Sequence, residues 1–413
     1  MMQGTLNIFQ RTILLWNDIH PYNAVHVVRV PGHLDASRLT RDISCCIDQC
    51  GIGKLSVDRN RRKYQYGGLP APLRIRAVQG DDPAATLRRE IEDQINLPFP
   101  AGRDFIPFRF FTVRDKDSFF LGLVYYHLIA GADSIITIFR HMVRSYLSEE
   151  QSAGCPPASL YPDTYTKRLT VSPSDMARWI FTIPRRITEV RRAIRPRYDD
   201  VHDNRNGFQF FSINDGRFRA LSETAKVWGV TLNDMFLALV MQSVAPRALT
   251  RRRGKKKNIS LSSIAAIRKD MPPEARDLFG LFLSSFNVYR EAGAGTPLSV
   301  LARDIHAQTE QIKKHRLYLR TLLEMGAALV LIPWFFSTRK EKFYSKYNPV
   351  WAGITNININ TAGGWPEYPG DVPADYLRAV STGQAAPLVF SFTTLHDKIQ
   401  VGVSYRETVF SGD

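Results

Sequence analysis

The chemistry-bearing stretch is Val124-Tyr125-Tyr126-His127-Leu128-Ile129-Ala130-Gly131-Ala132-Asp133-Ser134. An imidazole can accept a proton near neutral pH once its orientation is fixed, so His127 is the candidate general base. Its surroundings say how it would be held. Phe119 to Tyr125 is an apolar, aromatic run with the composition of a buried strand. Beyond it, Ile135, Ile136, Ile138, Phe139, Met142, Val143 and Tyr146 recur at helical spacing, with Arg140 and Arg144 on another face. His127 therefore falls where a strand ends. Gly131 supplies the turn and Ser134 is the expected N-cap of the helix. A histidine at such a corner is either a hydrogen-bonded structural residue or a base facing a cleft.

The elements that must position this corner belong to a large chain. At 413 residues it is too long for one ordinary core and suits two domains. A hydrophobic content of 44% describes a packed globular protein and excludes a disordered one. The start, Met1-Met2-Gln3-Gly4-Thr5, lacks the basic lead and apolar run of a signal peptide. No apolar stretch reaches the length of an ordinary spanning helix. Cys45, Cys46, Cys50 and Cys155 show no zinc-type pairing with histidines, so reduced thiols in a cytosolic protein and no metal are expected. The net charge of +16 favours anionic partners, from nucleic acid and acidic membrane to phosphate-bearing cofactors and acidic proteins. No nucleic-acid fold signature accompanies it, so nucleic acid is the least expected of these.

In chain order, Ala24 to Val30 is a strand closed by Pro31-Gly32, and a helix follows from Asp35 through about Cys50. Lys54 to Tyr66 reads as a hairpin, Leu73 to Val78 as a strand, and Pro83 to Asn96 as a helix. Pro107 to Val113 is a strand that turns through Asp115-Lys116-Asp117-Ser118 into the one ending at His127. Gly154 to Pro173 reads as a linker. The segment from Met176 to Ile194 is basic and amphipathic, with Pro184 expected to kink or split it; it is either a solvated connector or a contact for an anionic membrane or acidic protein. The second half opens with a strand at Phe208 to Ile213, a helix from Arg217 to Trp228 closed by Gly229, and a long apolar helix opened by Val230 to Asp234 and running through Ala245. Arg251 to Lys257 reads as a basic exposed loop, with a phosphate-contacting role as the lesser alternative. A strand from Ile259 ends in Arg268, another spans Phe279 to Phe286, and a helix spans Leu298 to Leu319. The apolar piece from Leu322 to Phe336 is too short to span a bilayer and reads as a buried or tunnel-lining helix, with an interfacial anchor as the alternative. Trp351 to Asn360 is a strand with polar positions, and Pro387 to Tyr405 is a closing hairpin.

The stretch around His127 resembles the His-His-x-x-x-Asp-Gly-x-Ser segment of the condensation-domain and chloramphenicol acetyltransferase-like acyltransferases, a superfamily that also includes wax ester synthases and polyketide-lipid acyltransferases. In register the motif's second histidine falls on His127 and its serine on Ser134. Tyr126 stands for the first histidine, Gly131 for the aspartate and Ala132 for the glycine. The serial order of elements before and after the motif is also similar. Phe279-Gly280-Leu281-Phe282-Leu283-Ser284-Ser285 resembles a strand whose Asn-Thr is here Ser284-Ser285.

The resemblance implies an α/β (α+β) fold of two half-domains, residues 1–160 and 206–413, joined by a basic connector at 161–205. They would form a V-shaped pseudo-dimer with a central cleft. It also implies acyl transfer, in natural-product or lipid biosynthesis, from a pantetheine thioester on acyl-CoA or an acyl carrier protein to a hydroxyl or amine, with no permanently bound cofactor. His127 would be the catalytic base, with Tyr126, Gly131, Asp133, Ser134 and Arg268 supporting the motif and Ser284, Ser285 and Asn356 as cleft contacts. In the family an arginine at the position of Arg268 pairs with the motif aspartate. Gly131 offers no carboxylate, so Asp133 is the expected substitute. A cytoplasmic location with peripheral membrane contact fits this reading. The alternative is a catalytically degenerate platform that recruits a carrier protein or another partner.

Overall fold

The computed structural model describes residues 2–100, 104–148, 155–160, 172–200, 202–252, 254–291, 295–335, 348–361, 365–366, 375–383 and 386–410. The first part of the chain runs β1 (Met2–Thr5), α1 (Ile8–Asn17), β2 (Asn23–Pro31), α2 (Ala36–Cys50), β3 (Lys54–Asp58), β4 (Lys63–Gly67), β5 (Ile75–Val78), α3 (Pro83–Asn96), β6 (Phe108–Asp115), β7 (Ser118–Tyr126) and α4 (Ala132–Leu147). The rest runs α5 (Pro173–Arg192), β8 (Asn206–Ile213), α6 (Asp215–Trp228), α7 (Leu232–Thr250), β9 (Asn258–Ala266), β10 (Leu283–Glu291), α8 (Leu298–Lys314), α9 (Leu317–Phe335), β11 (Ala352–Asn358), β12 (Tyr376–Val380), β13 (Leu388–Leu395) and β14 (Lys398–Arg406).

Local chemistry explains the elements that matter. In α2, Leu39, Ile43, Cys46, Ile47 and Cys50 recur on one face and are buried; Asp35 accepts from the Arg38 amide at one end, and Gly51 closes the other at φ +70°. In α7, Thr231 and Asp234 form a reciprocal cap. The same Asp234 carboxylate, fully buried, accepts from Thr309 Oγ1 at 2.6 Å and tethers α8.

Two sheets form the halves. The first has five strands in the order β12-β2-β7-β6-β5, and the second has six in the order β10-β9-β11-β13-β14-β8. A small sheet, β1-β4-β3, flanks the first. The halves are interlocked: β12, from late in the chain, pairs antiparallel with β2, placing Arg378 opposite His26. The same strand lies against the second sheet. A side chain at Gly402 in β14 would place its Cβ 2.1 Å from the Arg378 carbonyl oxygen, so only glycine admits this approach.

Several expectations change. Ser134 is not the N-cap of α4; that position is Gly131, and Ser134 lies inside the first turn. The helix expected over Leu298 to Leu319 is broken at His315 and Arg316, the latter at φ +48°. Helix α5 runs through Pro184 without splitting. It leaves Met176, Ile180, Phe181 and Ile187 exposed beside Arg185, Arg191 and Arg192. Cys46 and Cys155 form a disulfide, with Cα atoms 5.0 Å apart, where reduced thiols are expected. The partners are 109 residues apart in sequence, and only the packing of the segment after α4 back onto α2 brings them together. Among the described residues no single helix is long and apolar enough to cross a membrane. Residues 161–171, 336–347 and 362–364, on which parts of the linker, the apolar piece and its basic flank were read, lie outside the described residues.

Candidate active site around His127

Strand β7 delivers His127 one residue past its end, as its pattern predicts. The His127 amide donates to the Tyr22 carbonyl at 3.3 Å. Its ring stacks on Tyr22 with centroids 5.3 Å apart and planes 8° from parallel, and meets Tyr125 edge-on at 5.6 Å. Nδ1 lies 3.2 Å from the Ala130 carbonyl oxygen. A carbonyl can only accept, so Nδ1 carries the proton and Nε2 keeps its lone pair. Burial, with a smaller contribution from the Arg378 charge, lowers the imidazole pKa to about 4. The ring is thus neutral at neutral pH, the state a general base requires.

The turn carrying His127 is clamped from the second half. Arg268 Nε donates to Asp133 Oδ2, and Nη2 reaches Ser134 Oγ at 2.5 Å. Nη1 donates to the Arg276 and Leu278 carbonyls at 2.7 and 2.8 Å, and the guanidinium stacks 4.4 Å over the Phe282 ring. Asp133 thus occupies the pairing role that Gly131 cannot fill. Gly131 itself closes the contact through its amide, which donates to the Gly280 carbonyl at 3.0 Å. Ser134 Oγ also lies 3.2 Å from the Gly280 carbonyl and accepts from its amide at 3.3 Å.

His127 opens onto a cavity of about 450 Å³ lined by both halves. Phe9, Ile264, Leu283, Met325, Leu329 and Val389 make apolar wall. The size and lining suit a small molecule or the end of a longer one. Ser285 and Asn356 line it. Ser284 does not: it is fully buried on the other face of β10, where its Oγ donates to the Tyr318 carbonyl at 2.6 Å. Strand alternation puts only one of the adjacent serines on the cavity side. Tyr126 also points away, into a cluster with Phe99 and Phe105 at 5.9 and 5.8 Å. From α9, Thr321, Met325 and Leu329 reach the cavity, in keeping with a tunnel-lining helix.

Among the cavity residues that sequence reasoning missed are Tyr22, His26 and Arg378. His26 lies in the apolar run of β2, and its Nδ1 is 2.7 Å from Tyr376 Oη. Burial, and then the charge of Arg378, holds its pKa well below the usual range. Arg378 is almost fully buried, and burial lowers its pKa to about 10, so it remains charged at neutral pH. The one available signal was a polar or charged residue inside an apolar strand sequence.

No protein-family model matches the chain, and no curated protein sequence matches it. Solved structures do. The first condensation domain of the CDA synthetase superposes with a TM-score of 0.65 at 14% identity, over 100% of this chain and 92% of that one. The cyclization-docking bidomain of EpoB from Sorangium cellulosum gives 0.68 at 15%, over 100% and 81%. The starter condensation domain of the rhizomide synthetase gives 0.66 at 11%, over 99% and 90%. The chain therefore has the condensation-domain fold, with two half-domains around a shared cavity.

Proposed function

We propose that the protein is an acyltransferase that moves an acyl group from a pantetheine thioester to a hydroxyl or amine. The observation that carries this reading is the neutral His127, its proton fixed on Nδ1 by Ala130, at the wall of a cavity built by both halves. His127 Nε2 takes the acceptor proton as the acceptor oxygen or nitrogen attacks the thioester carbonyl. The new C–O or C–N bond forms, the C–S bond breaks, and the proton passes to the leaving thiolate. Holding both reactants in one cavity supplies much of the acceleration. Ser285 and Asn356 are placed for polar contacts with the reactants.

The donor is acyl-CoA or an acyl carrier protein, both anionic and suited to a chain of net charge +16. The rhizomide neighbour's structure holds C8-CoA and Leu-SNAC, which supports a thioester donor here. The test is free-thiol release across acyl-CoA and acyl-carrier donors with pooled alcohols and amines, the product identified by mass. The rival platform reading rests on the altered motif positions Tyr126 and Gly131. Carrier-protein binding without thiol release from any donor would favour it.

A further inference from the structure

Arg378 presents a buried positive charge to the cavity with only neutral acceptors around it. Nε donates to Thr393 Oγ1 at 2.9 Å. Nη2 donates to the Phe392 carbonyl at 2.7 Å and the Thr355 carbonyl at 3.3 Å. Nη1 has one long contact, 3.4 Å to Thr355 Oγ1. No carboxylate among the described residues pairs with the guanidinium, although the side chain is only 4% exposed. The nearest charged residue in sequence, Asp375, is taken by Lys398 and Gln400.

A permanently charged guanidinium is rarely buried unless something negative meets it. Here the surrounding carbonyls and hydroxyls orient the group while leaving its charge uncompensated. Its position is fixed twice over: β12 pairs with β2 in one sheet, and Gly402 lets the same strand press on the other. Arg378 lines the cavity that holds His127, together with His26 and Tyr125. A planar, fixed guanidinium with one Nη1 N–H unpartnered among the described residues and the other in a long contact offers a carboxylate a full charge and an open donor edge.

We propose that one of the two reactants carries a carboxylate that seats on Arg378 inside the His127 cavity. That the bound acid is a reactant rests on the acyltransfer reading; that an anion binds here rests on Arg378 alone. It makes Arg378 the residue that selects acidic substrates over neutral ones of the same shape. The carboxylate belongs either to the acceptor, as in a hydroxy acid, or to the acyl group, as in a dicarboxylic half-thioester.

Equilibrium binding tests this without turnover. Glycolate, lactate, mandelate and ω-hydroxyhexanoate are each titrated by calorimetry against their amides, and succinyl-CoA against butyryl-CoA. At least one acid should bind about tenfold or more tighter than its neutral counterpart, as a charge-assisted pair in a buried site provides. Arg378→Gln should erase that preference, and Arg378→Lys should restore part of it. The pair of arms says which reactant carries the acid. The preference should persist in His127→Ala, so failure of the acyltransfer reading leaves this result intact. Absence of any preference in the wild-type protein overturns the proposal even if the variants do not fold. A preference unchanged in Arg378→Gln overturns it too.

Discussion

Arg268 and Asp133 meet across the junction between the second sheet and the start of α4, two residues from Gly131. The pair clamps the turn that carries His127. The pair also binds Ser134, so the corner is held by a small network and not by one bond.

The pairing predicts a reciprocal rescue. Asp133→Ala leaves Arg268 without its acid and should destabilise the fold by about 2 kcal/mol, below the range for a fully buried pair because both side chains retain some solvent. Gly131→Asp alone should also destabilise, since its Cβ would lie 2.8 Å from Asp133 Oδ1. Gly131→Asp combined with Asp133→Gly should recover most of the loss. Urea melts of the three variants decide it; a double variant as unstable as either single one contradicts the account.

The pH behaviour follows from the direction of the His127 shift. Its folded pKa of about 4 lies below the ordinary 6.5, so the fold favours the neutral ring. Stability from this group is therefore complete above about pH 6.5 and is lost as pH falls towards 4, by about 3 kcal/mol in all. His26, shifted the same way, adds to the loss. For acyl transfer, kcat/KM should hold down to about pH 5 and fall through an acid limb near 4. Arg378, which contributes to both shifts, should move that limb upward when replaced by glutamine.

At Gly402 the two sheets approach through backbone. Gly402→Val should cost about 1–3 kcal/mol by overpacking and should disturb Arg378 before it disturbs the Arg268 clamp. Thermal melts read the first effect. The acid-over-amide binding ratio reads the second, and an unchanged ratio would show that β12 does not depend on this contact.

The disulfide sets a count. Cys45 and Cys50 are free, so the denatured, unreduced protein should titrate two thiols, and the reduced protein four. Four thiols before reduction would contradict the pairing.

Much of the corner was legible because it is local. A buried strand, a glycine turn and an amphipathic helix are each written in a dozen neighbouring residues, and they placed His127 correctly. Asp133 was the nearest acid to a missing one, and proximity along the chain sufficed to pair it with Arg268. Ser284 and Ser285 show where such reasoning stops: adjacent strand residues face opposite sides, and composition does not say which side is the cavity. Arg378 was invisible for a stronger reason. Its strand is short, follows a proline-bearing stretch, and completes a sheet begun some 350 positions earlier, so no local period marks it. The disulfide escaped for the same cause.

The central claim is that neutral His127 takes the acceptor proton. The most direct test is single-turnover acyl transfer from the best thioester donor, comparing wild type with His127→Ala of equal thermal stability. The account predicts a loss of about 10²–10⁴ in the rate of transfer with donor binding preserved. Transfer at the wild-type rate in the folded variant would contradict it.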